Sequence, residues 1–246
     1  MVQIGVMEYT DIHSHILPGV DDGAADIEET MSMLKMAYEQ GVRTIIATPH
    51  YIPGKKKKSA DELRQIHAQV CETAKESMPD LKILLGNEIY CREGVLRSIT
   101  EGRTLTLADT DYVLLEFSTK ISYKDLFGYV KAISGKHYRP IIAHVERYGC
   151  LYRKEELIRE LIGAGAYIQM NTESLPGGSF NRQAAYCRSL LEKGYVHFLG
   201  TDCHDMQMRK PQMQTDLSKI KYARYEEQIN KIMLHNVECL LANKWI

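Results

Sequence analysis

The stretch TDIHSHILPGVDDG, residues 10 to 23, sets His13 and His15 one residue apart at the end of an apolar run, with Asp21 and Asp22 following in the same loop. Further along, apolar runs again close on side chains able to bind metals or move protons. RTIIATPH ends in His50, LKILLGNE in Glu88, and DYVLLEF carries Glu116. PIIAHVERY presents His144 and Arg147, AYIQMN ends in Asn171, and VHFLGTDCH supplies Asp202 and His204. Singly, each has an ordinary explanation. A lone histidine at a strand end is more often hydrogen-bonded than metal-bound, Glu88 or Glu116 alone suits a helix cap or a lysine pair, and Asp22 before Gly23 suits a turn. Jointly they predict a metal cluster. Carboxylates crowded into a low-dielectric site repel one another unless cations compensate them, and neutral imidazoles among them are natural ligands. In an extended strand of period two, H-x-H sends both imidazoles to one side, and Asp202 with His204 repeats that spacing. Mixed imidazole and carboxylate donors without thiolates suit Mn, Fe or Zn, with Mg less favoured.

Such a convergence needs elements that bring strand ends to one face. Short Val, Ile and Leu runs alternate with segments of helical period, the pattern of βα units around a parallel sheet. The sequence predicts strands near 8–13, 43–49, 82–87, 112–117, 140–144, 166–170 and 196–201. It predicts helices near 26–40, 59–77, 92–99, 123–135, 153–164, 181–193, 212–221 and 226–242, with Gly41, Gly165 and Gly194 stopping helices ahead of the next strand. About seven such units favour a closed or nearly closed barrel, with a doubly wound open sheet as the alternative. In either, the carboxyl ends of the strands form the active face.

Composition narrows the partners. The 246 residues are 44% hydrophobic and 26% charged, which fits one globular domain and argues against disorder. A net charge of −1 gives no global field for nucleic acid or an acidic membrane. The start MVQIGVMEYT lacks the basic and apolar regions of a secretory signal, and no run approaches the ~18 apolar residues of a membrane span, so a cytoplasmic location is expected. The six cysteines are scattered without a C-x-x-C pair, predicting reduced core residues rather than a disulfide framework or zinc site. The KKKK run at 55–58 follows His50 on the active-face side. Its ordinary reading is a solvated loop, and its functional reading is attraction of an acidic or phosphorylated tail.

The motifs DIHSHILPGVDDG, TPH, GNEIY, LLEF, AHVERY and TDCH, in this order between about residue 8 and about residue 240, resemble the PHP (polymerase and histidinol phosphatase) superfamily of metal-dependent phosphoesterases. More narrowly they resemble the bacterial tyrosine-protein phosphatases encoded in capsular and exopolysaccharide operons of Gram-positive bacteria. The resemblance implies an α/β fold, a distorted (β/α)7 TIM-like barrel forming a single domain over 1–246, with three divalent metal ions, Mn foremost and Fe, Zn or Mg as alternatives. Position by position it implies the metal ligands His13, His15, Asp22, His50, Glu88, Glu116, His144, Asp202 and His204. It places Arg147 and Arg209 near the phosphate, where an unselected arginine would more often form a surface salt bridge. It further implies hydrolysis of phosphotyrosine by a metal-bound hydroxide, on a phosphoprotein such as the C-terminal tyrosine cluster of a bacterial tyrosine kinase controlling polysaccharide synthesis.

Charge arithmetic agrees with an anionic substrate. The four carboxylates among the implied ligands, three divalent ions and one hydroxide sum to about +1 before the arginines are counted. A phenol of pKa about 10 leaves more readily than a serine alkoxide, so an aryl phosphate needs no dedicated general acid.

Four rival readings are distinguishable. Cys203 and Arg209 form a C-x5-R pattern of the kind used by thiol-dependent phosphatases, but the intervening HDMQM holds no glycine to let backbone N–H groups wrap a phosphate. Histidinol-phosphate phosphatase shares the superfamily chemistry, and the AHVERY form and compact chain look closer to the tyrosine phosphatases. A nuclease is disfavoured because no basic face with interleaved aromatics is visible. In a non-enzymatic module, metals would only hold a binding domain together.

Overall fold

Within the first helix unit, Asp26 accepts the Glu29 N–H to cap α1 (Ile27–Glu39), and Gly41, at φ 85°, then turns the chain into β2 (Val42–Ala47). The same device recurs along the chain. Ser59 and Glu62 form a reciprocal capping box on α2 (Ala60–Lys75), and Ser122 and Asn181 cap α4 (Tyr123–Ser134) and α6 (Arg182–Glu192). The computed structural model describes residues 8–55, 58–178, 180–220 and 222–246, so Lys56 and Lys57 of the lysine run lie outside the described residues.

The remaining strands are β1 (Tyr9–Ser14), β3 (His50–Tyr51), β4 (Lys82–Leu85), β5 (Glu88–Tyr90), β6 (Tyr112–Glu116), β7 (Arg139–Ile142), β8 (Tyr167–Asn171) and β9 (Phe198–Gly200). The other α-helices are α3 (Val95–Thr100), α5 (Glu155–Gly163), α7 (Met213–Ser218), α8 (Tyr222–Asn230) and α9 (Val237–Leu241), a π-helical turn joining the last two, and short 3-10 turns lie at Leu107–Asp109, Val145–Arg147 and Thr172–Ser174. Every strand pair is parallel, in the orders β1-β2-β4 and β3-β5-β6-β7-β8-β9.

Two predicted strands are each divided in two. The run predicted at 43–49 breaks at Thr48–Pro49, where proline has no N–H for the ladder, and resumes as β3. The run at 82–87 breaks at Gly86–Asn87. A Cβ on Gly86 would lie 2.7 Å from Leu107 Cδ2, so only glycine fits the approach of that loop. Asn87 then fastens the break, donating to Pro49 O and accepting from the Leu105 N–H at 2.8 Å each. These breaks redirect His50 and Glu88, which begin the resumed strands and pair with one another in register.

Beyond β9 the chain meets β1. Asp202 N–H donates to His13 O at 2.8 Å, His15 N–H donates to Cys203 O at 2.9 Å, and Ser14 and Cys203 form a parallel bridge. Alternation along the strands divides the apolar residues into two layers. Ile46, Tyr112, Leu114, Ile141, Tyr167 and Phe198 form one buried cluster, while their neighbours Ile45, Val113, Leu115, Ile142, Ile168 and Leu199 pack in a larger cluster with the helices. On β8 the first side carries Tyr167, Gln169 and Asn171 in turn, and on β6 it carries Tyr112, Leu114 and Glu116. An apolar floor thus gives way to polar side chains at the carboxyl ends.

The six cysteines are all unpaired, four of them buried. Among the described residues no helix is long and apolar enough to cross a membrane.

Candidate metal centre

The predicted residues from β1 and from beyond β9 meet face to face. His13 Nε2 and His15 Nε2 are 3.4 Å apart, and both lie 3.3–3.4 Å from Asp202 Oδ1. Glu88 sits between the imidazoles, with Oε1 3.3 Å from His13 Nε2 and Oε2 3.4 Å from His15 Nε2. The same carboxylate also meets His50 Nδ1 at 2.8 Å and His144 Nε2 at 2.9 Å. Glu116 stands further out, 3.9 Å from both His50 and His144. Asp22, on the rim, reaches to 3.3 Å from His50 Nε2 and 3.8 Å from His204 Nε2.

Three overlapping sets of donor atoms result, each set lying within 4.8 Å of one another: His13, His15, Glu88 and Asp202; His15, Asp22, His50 and His204; and His50, Glu88 and Glu116. His144 belongs to none of these sets and approaches through its contacts with Glu88 and Glu116. The donors fit divalent cations. Glu88 and Asp202 are each 1% exposed, where uncompensated carboxylates are costly, and the buried His204 Nε2 has no hydrogen-bond partner. Burial and the nearby Glu88 carboxylate push the Glu116 carboxyl up to about 7, and burial followed by the His15 charge pulls His204 down to about 4. The raised Glu116 carboxyl expresses a local excess of negative charge, and the lowered His204 keeps a neutral imidazole whose lone pair is available to a cation.

Around these donors lies a supporting shell that motif spacing did not expose. Asp21 accepts from His15 Nδ1 at 2.9 Å, from the His50 N–H at 2.8 Å and from the Gly23 N–H at 3.0 Å. Burial alone would raise its carboxyl, but the His15 bond and these donors hold it well below the usual range. Gln169 Oε1 accepts the His144 backbone N–H at 2.6 Å and faces His13 Nδ1 at 3.3 Å; its amide donates to Asn171, whose own amide donates to Asp202 Oδ2 at 2.9 Å. Asp11 accepts the backbone N–H groups of His13 and Thr201, and burial pushes its carboxyl up to about 6. A polar residue inside a buried strand, such as Gln169, was the available signal. His144 and Asp202 themselves have φ of 33° and 53°, a left-handed backbone that non-glycine residues seldom adopt and that is retained where surrounding bonds enforce it.

Arg147 and Arg209 come to a single atom. The Arg147 guanidinium lies 2.8 Å and that of Arg209 2.5 Å from Asp202 Oδ2, and Glu173 lies 3.8 Å from Arg147. Asp202 therefore turns one oxygen to the imidazoles and the other to the guanidinium pair. The C-x5-R alternative finds no support in the surroundings of Cys203. Its thiol is fully buried, and burial followed by the Asp11 charge pushes it far above the range of a reactive thiolate.

The model of the capsular polysaccharide synthesis family CpsB/CapC matches residues 9–242. The chain belongs to the CpsB/CapC family. Among CpsB/CapC relatives, the protein named tyrosine-protein phosphatase CpsB from Streptococcus agalactiae is 31% identical over 241 residues, covering 96% of this chain and 99% of that one. A solved structure reported with YwqE from Bacillus subtilis and CpsB from Streptococcus pneumoniae, described as unique metal-dependent tyrosine phosphatases, superposes with a TM-score of 0.87. It is 32% identical and covers 96% of both chains. A TatD-family hydrolase from Entamoeba histolytica shares the fold alone, with a TM-score of 0.58 at 12% identity. The CpsB/CapC assignment accords with the family resemblance carried by the ordered motifs.

Proposed function

We propose that the protein is a metal-dependent protein-tyrosine phosphatase whose centre holds three divalent ions, Mn foremost, on His13, His15, Asp22, His50, Glu88, Glu116, His144, Asp202 and His204. The observation that carries this reading is the convergence of all those side chains but His144 into overlapping donor sets directly beside two guanidinium groups, with His144 against Glu88. The near-full-length similarity to proteins named tyrosine-protein phosphatases supports the substrate class. We also read the curled parallel sheet as a distorted (β/α)7 barrel, supported by the hydrogen bonds between β1 and the continuation of β9.

Bound ions would supply Lewis-acid charge and an activated water for attack on phosphorus. The chain's own residues do the rest. Arg147 and Arg209 offer planar donor forks to the equatorial phosphoryl oxygens, where charge spreads as the bond to the phenol breaks. Asp202 holds both forks at the edge of the centre, so the anion meets donors that need little reorganisation. Asp21, Gln169 and Asn171 fix ring and carboxylate orientations, as supporting partners of metal ligands do. The phenolate leaves without a dedicated acid, which favours aryl over alkyl phosphates.

The partner in this reading is a phosphotyrosine protein, specifically the C-terminal tail of a bacterial tyrosine kinase, and the location is cytoplasmic. The decisive experiment compares turnover of a phosphotyrosine peptide and of histidinol phosphate, after chelation and re-addition of Mn, Fe, Zn or Mg. Faster peptide turnover that vanishes on chelation is expected. Preference for histidinol phosphate would reassign the substrate, and activity indifferent to chelation would remove the metal mechanism.

A further inference from the structure

Arg209 reaches Asp202 from a loop whose shape is set by one side chain. Asp205 Oδ1 accepts the backbone N–H groups of Gln207 at 2.6 Å, Met208 at 2.5 Å and Arg209 at 3.2 Å. The two ends of the turn are also joined, because the N–H groups of His204 and Asp205 both donate to Arg209 O, at 2.9 and 3.4 Å. At its foot, the Met206 N–H donates to Glu29 at 3.4 Å, and the Met206 side chain packs against the core. Its tip has no such anchor. Met208 is 85% exposed, so apolar packing does not hold the backbone that carries Arg209.

We propose that Asp205 is the positioning residue of Arg209: its carboxylate folds residues 205–209 so that the guanidinium stands beside Arg147 before any phosphate arrives. This rests on the reading of Arg209 as a phosphate-binding group. Bonds to an ionised acceptor are roughly twice as strong as neutral ones, and three of them on one oxygen restrain a turn that solvent would otherwise loosen. A displacement of about 1 Å in such a group costs on the order of 10²-fold in rate. Asp205 does not need to touch substrate or metal to have that effect.

The test is a double-mutant cycle on the manganese-loaded full chain, with an aryl phosphate as substrate, inorganic phosphate as inhibitor and calorimetric manganese titration alongside. Asp205→Ala and Arg209→Ala are each expected to lower kcat/KM on the order of 10²-fold and to weaken phosphate inhibition in parallel. The double variant is expected to fall no more than about twofold below Arg209→Ala, since the two residues act as one unit. Asp205→Asn, whose amide oxygen accepts the same N–H groups, should stay within about tenfold of the wild type. Manganese affinity should be unchanged throughout. Wild-type behaviour of Asp205→Ala, multiplicative losses in the double variant, or loss of manganese in Asp205→Ala overturns the inference. Wild-type behaviour of Arg209→Ala overturns the reading of Arg209 beneath it, and the two failures are thereby told apart.

Discussion

Arg147 donates to Asp202 Oδ2 across 2.8 Å, while the other oxygen of that carboxylate lies 3.3 Å from His13 Nε2. One side chain therefore joins the anion-binding edge to the imidazole cluster. Arg147→Ala is expected to lower kcat/KM for a phosphotyrosine peptide on the order of 10²-fold, with metal content by elemental analysis unaltered. Arg147→Lys should recover little, because an ammonium cannot reproduce the two-pronged fork. Equal turnover by Arg147→Ala and wild type would exclude the arginine from phosphate binding.

Cys203 offers a clean separation of the thiol and metal chemistries. Being fully buried with its thiol held protonated, it has no route to a phosphorus atom. Cys203→Ser should retain activity within about threefold in the loaded protein, a change of under 1 kcal/mol in the barrier. Complete loss in a folded, fully metallated Cys203→Ser protein would revive the thiol mechanism.

Gly200 lies under the centre, where a Cβ would be 2.7 Å from His13 Cβ and 3.1 Å from Gln169 Nε2. Gly200→Ala must displace His13 or its supporting amide, so manganese affinity is expected to fall about 10- to 100-fold. Gly128 in α4 is the control, since a Cβ there meets nothing within 4 Å. Gly128→Ala should bind manganese normally and gain roughly 0.5–1 kcal/mol of stability from the helix interior. Calorimetric titration of both variants decides the matter, and unchanged affinity in Gly200→Ala contradicts the packing account.

His197 gives a pH dependence far from the metal donors. Its Nδ1 accepts the Ile168 N–H at 3.2 Å, and burial followed by the Lys231 charge pulls the imidazole down to about 4 from its ordinary 6.5. Between those values the unfolded chain binds more protons than the folded one. Stability is therefore complete above about pH 6.5 and lost as pH falls toward 4, by up to about 3 kcal/mol. His197→Asn keeps an acceptor for the Ile168 N–H without the titration. Urea unfolding of the metal-free proteins should show the wild type losing about 3 kcal/mol more than the variant across that interval. A difference that stays constant with pH would disprove the assignment.

The strand ends were legible because a buried parallel strand is an unbroken apolar run, and any polar residue closing it stands out. His50, Glu88 and His144 announced themselves in that way, and the structure gathers them with His13, His15 and Asp202. The division of two strands was not legible. It depends on the missing N–H of Pro49 and on the pressure of Leu107 against Gly86, which is a contact across 21 positions of sequence. Asp21 was visible as a residue but not as a partner, since its role comes from three donors that only the folded loop assembles. Asp205 was hidden for the same reason. The lysine run keeps its two sequence readings, with Lys56 and Lys57 outside the described residues.

The bridge between Ser14 and Cys203 puts the earliest and latest donors on adjoining backbones, so cations gripping both would rivet together two segments far apart in sequence. A nascent polypeptide emerging from the ribosome holds His13 and His15 long before Asp202 and His204 exist. Metallation of the complete nest must then wait until Asp202 and His204 are made, because without them two of the three donor sets each lack a member.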